Sequence, residues 1–170
     1  KLLATEYQRM VDGANNHTLG YYDFIREVVQ QEAAAKRQRR IENLVKTSRL
    51  PSPLKLLADF DFDFQPKLKP KLIMDLSSLG FIEKGESILF IGDNGTGKSF
   101  LAQALALLAC QSGYKTYYTT CSELINDLNA GVYEKNLEKR MRKYVSPELL
   151  LIDEMGHDRL ELQVVKEAHL

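Results

Sequence analysis

The sequence predicts an α/β domain with a mainly parallel sheet, preceded by a small helical region, and three stretches carry that prediction. SILFIG (87–92) is a short apolar run that leads into the glycine-rich GDNGTGKS (92–99) and then into a long stretch of apolar residues at helical spacing. KTYYTT (115–120) has the β-branched and aromatic composition of a strand, and LLLID (149–153) is a third apolar run of strand length. Strands separated by helical segments read as parallel, because a parallel neighbour needs a crossover connection.

The elements follow in order. Leu2, Leu3, Tyr7, Met10 and Val11 suggest a short helix that ends near GANN (13–16), where Gly13 and two asparagines favour a turn. Residues 21–48 place Phe24, Ile25, Val28, Val29, Ile41, Leu44 and Val45 at helical spacing, which predicts one long amphipathic helix. Pro51 and Pro53 lack amide donors and push their predecessors out of helical geometry, so RLPSPLK (49–55) marks a boundary. The expected division is a helical region at 1–58 and an α/β core at 59–170. ADFDFDFQP (58–66) reads as a short strand or extended segment with Phe60, Phe62 and Phe64 on one face. Pro70 suits the first position of a helix carrying Leu72, Ile73, Leu76 and Leu79, with Gly80 as its C-terminal cap. A helix is expected at 98–111, closed by Gly113, and Thr120 with Glu123 forms a candidate capping box for SELINDLNA (122–130).

Composition narrows the classes of function. Among 170 residues, 23 basic and 23 acidic side chains cancel, so affinity for a polyanion must come from a local patch. No apolar run approaches the roughly 18 residues of a membrane helix, and the opening residues lack a secretory signal, so no membrane partner is expected and the cytoplasm is the expected location. The two cysteines, Cys110 and Cys121, form no CxxC pair and read as reduced packing residues. His17, His157 and His169 have no metal-ligand spacing.

The chemistry is concentrated in GDNGTGKS. Glycines at 92, 95 and 97 permit a backbone that turns successive amides inward around a phosphate, and the following helix N-terminus adds partial positive charge. The loop residues Gly92, Asp93, Asn94, Gly95, Thr96 and Gly97, with Lys98, Ser99 and Phe100, are the candidate ATP-binding set. In this P-loop Lys98 is expected to reach the β and γ phosphates, and the Ser99 hydroxyl to ligate Mg2+. Asp153, ending an apolar strand, supplies the carboxylate expected on the other side of the metal shell. Glu154 follows directly and is the candidate base for the attacking water, which with Lys98 makes the candidate catalytic pair and favours hydrolysis over small-molecule phosphotransfer.

GDNGTGKS, LLLIDEMGHD (149–158), LADFDFDFQP (57–66) and AAAKRQRRIENLVKTSRLP (33–51) together resemble the IstB-like transposition helper ATPases, AAA+ proteins related to the DnaC-type helicase loaders and, more distantly, to the DnaA replication initiators. The resemblance covers nearly the whole chain. It implies an ATPase that forms homo-oligomers on double-stranded DNA and presents that DNA to a transposase, with the roles above carried by Lys98, Ser99, Asp153 and Glu154. It also implies that Phe60 and Phe62 border the adenine pocket. In such AAA+ sheets a further strand lies between the P-loop strand and the one ending in Asp153. Only 16 residues follow Glu154 here, so the core is expected to be C-terminally truncated, with those two strands short of their mutual neighbour. A helicase loader of replication and a nucleotide-binding adaptor without turnover are the alternatives.

The residues bear on DNA binding independently. Between 36 and 49, Lys36, Arg37, Arg39, Arg40, Lys46 and Arg49 stand against Glu42 alone, a local basic patch on a neutral chain. Such a patch suits sequence-independent, salt-sensitive phosphate contacts, and a solvated helix face is the alternative. Lys135, Lys139, Arg140, Arg142 and Lys143 form a second basic group, diluted by Glu134 and Glu138.

Overall fold

A computed structural model describes residues 8–9, 11–13, 20–65 and 68–155. The chain divides into two compact units, 1–42 and 43–170. The division falls inside the long helix α1 (Tyr21–Thr47), and the prolines at 51 and 53 belong to the second unit.

In the first unit residues 8, 9 and 11–13 are helical. The turn expected at GANN and all three histidines lie outside the described residues, apart from Gly13 itself, which is helical. The alanines and long polar side chains of α1 favour helix without tertiary support. No residue of α1 is buried, and Tyr21, Tyr22, Ile25 and Val29 are exposed.

The second unit holds the core. After α1, Ser48 is fully buried, and the chain turns through Arg49, which adopts a left-handed conformation. A 3-10 turn spans Leu57–Asp59, and the phenylalanine segment follows it not as a strand but as a bend. The Asp61 carboxylate accepts the Asp63 amide at 2.9 Å, and the Gln65 amide bonds back to the Phe62 carbonyl. An aspartate that satisfies its own downstream backbone competes with extended structure, so the three phenylalanines do not share a face. Phe60 and Phe62 meet edge to face at 5.0 Å, whereas Phe64 is exposed.

Helix α2 (Pro70–Leu76) starts on proline as expected, but its terminator differs. Leu79, at φ 61°, takes the left-handed position, and Gly80 opens a one-turn helix, α3 (Gly80–Glu83). A left-handed leucine costs about 1–2 kcal/mol. Burial offsets that cost, because Leu79 sits in a core cluster with Phe81 and Ala109. Helix α4 (Lys98–Gln111) buries Leu101, Ala104, Leu105, Ala106, Leu107, Ala109 and Cys110, and Gly113 ends the connection beyond it in a left-handed turn.

Strand β1 (Thr116–Thr120) pairs in parallel with β2 (Leu149–Asp153), Thr116 opposite Leu149 and Thr120 opposite Asp153. The crossover consists of α5 (Cys121–Tyr133) and α6 (Leu137–Val145). The Thr120 hydroxyl caps α5 by accepting the Glu123 amide at 3.2 Å. Glu123 completes no reciprocal box, since its carboxylate turns to the Thr119 hydroxyl and toward Arg49.

The stretch expected as the P-loop strand forms no strand with any of the described residues. Residues 86–93 join no ladder among the described residues, and the sheet has two strands. Ile88 and Phe90 are half-buried while Leu89 and Ile91 are 68% and 86% exposed, so the stretch keeps the alternation of a strand without its pairing. A strand is defined by a neighbour that accepts and donates along its edge, and no described segment supplies one. No helix among the described residues is long and apolar enough to cross a membrane.

Candidate nucleotide-binding site

The phosphate loop runs from the unpaired segment into the first turn of α4. Gly95 and Gly97 lie at φ 76° and 85°, where a side chain is strained. Gly97 is restricted twice over, because a Cβ there would come within 2.7 Å of the Phe60 ring. Gly97 stands at the N-cap of α4 with no side chain capping the helix, which leaves the first-turn amides and the positive end of the helix to an incoming anion.

Lys98 folds back across the loop. Its Nζ donates to the carbonyls of Gly92 at 2.8 Å and Asp93 at 2.6 Å, and the Thr96 hydroxyl donates to the same Asp93 carbonyl at 2.8 Å. The loop is thus braced around its own lysine, with Asp93 contributing through its backbone. Phe100 turns toward Phe60, ring centroids 5.6 Å apart, and Lys55 Nζ lies 5.6 Å from the Phe100 ring. The phenylalanine segment therefore seats against the start of α4.

Parallel pairing brings the end of β2 to this loop. The Ser99 hydroxyl donates to Asp153 Oδ1 at 2.8 Å, and the Glu154 amide donates to the same oxygen at 2.9 Å. Glu154 is exposed and left-handed at φ 58°, so the chain turns sharply as it leaves the strand. On the other carboxylate oxygen, Oδ2, Gln103 Nε2 lies at 3.3 Å and the Tyr118 hydroxyl at 3.5 Å. Burial, then the negative charges of Asp153 and Glu154, push the Tyr118 phenol up to about 12, so it is a neutral donor at physiological pH.

A cleft of about 1270 Å³ opens over these groups, lined by Ile88, Phe90, Gly95, Lys98, Leu151 and Asp153 among others. A magnesium ion suits the donors present. Ser99 and Asp153 offer a hydroxyl and a carboxylate, both hard oxygen ligands, and no cluster of three or more His, Cys, Asp or Glu able to hold a metal occurs among the described residues. A cation held by two protein oxygens takes its remaining ligands from phosphate and water, which is the habit of magnesium with nucleotides.

Comparison with known proteins places the chain in a family. A family profile described as IstB-like ATP binding protein matches residues 1–168. The chain belongs to this IstB-like family. It is 38% identical over 160 residues to a protein of Geobacillus stearothermophilus assigned by name as an ATP-binding protein of insertion sequence IS5376, covering 94% of this chain and 63% of that one. A Bacillus thuringiensis protein similarly assigned to insertion sequence IS232 is 32% identical, with 92% and 62% covered, and one from Pseudomonas aeruginosa assigned to IS21 is 32% identical, with 91% and 58% covered. The chain thus spans about three fifths of the length of these curated relatives.

The structure brings Gly92 through Ser99, Phe100, Asp153 and Glu154 of this IstB-like chain into one locality. Lys36, Arg37, Arg39, Arg40 and Lys46 are exposed on α1. Arg49 is engaged: its guanidinium donates to the Tyr117 hydroxyl at 2.9 Å and approaches Glu123 at 3.8 Å. The second basic group is also partly committed, since Arg140 and Lys143 converge on Asp127, each at 2.6 Å, and Arg142 pairs with Glu138. Sequence reasoning missed Gln103 and Tyr118. Gln103 was accessible as the residue one turn beyond Ser99 on a predicted helix, whereas Tyr118 reaches Asp153 only through strand register.

Proposed function

We propose that the chain is the nucleotide-binding part of an ATP-driven helper for DNA transposition. The observation that carries this reading is the convergence of Ser99 and Asp153 beside the phosphate loop, on a chain whose relatives are assigned to insertion sequences. ATP binds with its phosphates against the loop amides and Lys98, which exchanges its bonds to the Gly92 and Asp93 carbonyls for phosphate oxygens. Ser99 and Asp153 would hold a magnesium ion, which would supply charge neutralisation for the phosphate oxygens. Glu154 orients and deprotonates the water that attacks the terminal phosphorus as its bond to the bridging oxygen breaks, and ADP and phosphate leave. The Phe60 and Phe62 segment borders the adenine.

The exposed basic residues of α1 hold the sugar-phosphate backbone of double-stranded DNA, with Arg49 contributing if it exchanges Tyr117 for a phosphate. Binding of ATP between neighbouring copies assembles an oligomer on DNA that is presented to a transposase, and hydrolysis dismantles it. The test is fluorescent ATP binding and ATP-dependent assembly on duplex DNA, with Lys98→Ala alongside. Loss of both in the variant is expected, and assembly that survives the substitution would overturn the reading.

A further inference from the structure

We propose that Gln103 and Tyr118 are positioning residues for Asp153: by holding Oδ2 they turn Oδ1 toward Ser99 and fix the carboxylate in the orientation a cation requires. The inference rests on reading the site as one for a metal-bound nucleotide. Its basis is the division of labour at a single carboxylate. Oδ1 accepts from the Ser99 hydroxyl and the Glu154 amide, both at the mouth of the loop, while Oδ2 accepts from Gln103 at 3.3 Å and lies 3.5 Å from the Tyr118 hydroxyl. A carboxylate held at one oxygen alone can swivel about its terminal torsion, which is broad, whereas donors on both oxygens leave one orientation.

The fold makes both donors stiff. Gln103 follows Ser99 by four residues on α4, so the two side chains rise from one helix face and grip opposite oxygens of one group. Tyr118 lies two residues before Thr120, the register partner of Asp153, which puts it on the same face of the sheet and diagonal to the carboxylate. Strand β1 is held on both edges here, by β2 on one side and on the other by the Ser48 carbonyl, which accepts the Tyr118 amide at 2.7 Å. Neither residue lies in the phosphate loop, and neither needs to touch the nucleotide to act.

The experiment compares the 170-residue chain with Gln103→Leu, Tyr118→Phe and the double variant, using Mn2+ and a non-hydrolysable ATP analogue. Mn2+ affinity with the analogue bound is read by electron paramagnetic resonance, analogue affinity without metal by fluorescence in EDTA, and folding by thermal unfolding. Loss of a group that orients a metal ligand weakens metal binding by roughly 10-fold or more, and that loss is expected in the double variant with metal-free analogue affinity unchanged. An unchanged Mn2+ affinity would overturn the proposal. So would an equal fall in metal-free affinity, which would make the pair general scaffolding. Absence of Mn2+ binding in the unsubstituted chain is a separate result that removes the metal-nucleotide reading itself, and the proposal with it. Tyr118→Phe deletes one hydroxyl and keeps the ring, so it decides the question where Gln103→Leu does not fold.

Discussion

The Ser99 hydroxyl donates to Asp153 Oδ1 across 2.8 Å, joining the first turn of α4 to the last residue of β2. The two residues are 54 positions apart, and the bond exists because α4 packs beside the β1–β2 pair while the phosphate loop opens at the same end. The bond sets a hydroxyl and a carboxylate oxygen side by side at the mouth of the loop.

On the role proposed for Glu154, Glu154→Gln should separate binding from turnover. The amide cannot take a proton from water, so phosphate release is expected to fall by about 100-fold or more while nucleotide affinity stays within a factor of about two. Phosphate release and fluorescent nucleotide titration on the same preparation check this, and equal turnover in the two proteins would move the base elsewhere.

Gly97→Ala is expected to damage the loop through two independent effects. A left-handed alanine costs about 1–2 kcal/mol. Its Cβ would also meet the Phe60 ring at 2.7 Å, forcing the phenylalanine segment away from α4. Urea unfolding is expected to show the destabilisation, and adding Phe60→Leu should recover the steric share but not the backbone share.

Asp127 gives the crossover an acid-sensitive clasp. Hydrogen bonds from Lys143 first, and also from Tyr144 and Arg140, lower its pKa from the usual carboxylate value to about 2. Because the folded value lies below the unfolded one, near 4, its contribution is complete above about pH 4 and disappears as pH falls toward 2. Asp127→Asn should therefore be less stable than the parent at pH 6, with the gap narrowing between about pH 4 and pH 2. Thermal unfolding across that range measures it, and a gap independent of pH would show that charge is not its source.

Replacing Lys36, Arg37, Arg39 and Arg40 by glutamine is expected to weaken binding to duplex DNA equally for unrelated sequences. The slope of log affinity against log salt should shrink by about 0.9 for each phosphate that these side chains no longer neutralise. Fluorescence anisotropy at several salt concentrations reads both, and an unchanged slope would leave these residues as a solvated helix face.

Much of the site was readable one segment at a time. The loop glycines, the helix from Lys98 to Gln111, strands at 116–120 and 149–153 and the Thr120 cap all follow from residues within a few positions of one another. Their causes are local: backbone freedom, side-chain branching and a hydroxyl placed three residues before an amide. That Ser99, Asp153 and Glu154 would come together was also legible, because a phosphate loop and an acid-ended strand form a recognisable pair.

Pairing and packing between distant segments were not legible in the same way. Residues 86–93 have the apolar content of a strand and lack a ladder among the described residues, a condition set by the neighbour and foreshadowed only by the expected absence of a shared strand. Leu79 takes the left-handed turn beside an available Gly80, because burial against Phe81 and Ala109 outweighs local preference. Arg49 reads as a free cation until the fold sets Tyr117 against it, and Tyr118 reads as a strand residue until register brings it to Asp153. Local chemistry could name the groups proposed to hold a nucleotide. Which groups hold those groups in place depended on helix packing and strand register, because such interactions join residues far apart in the chain and each is decided by both partners at once.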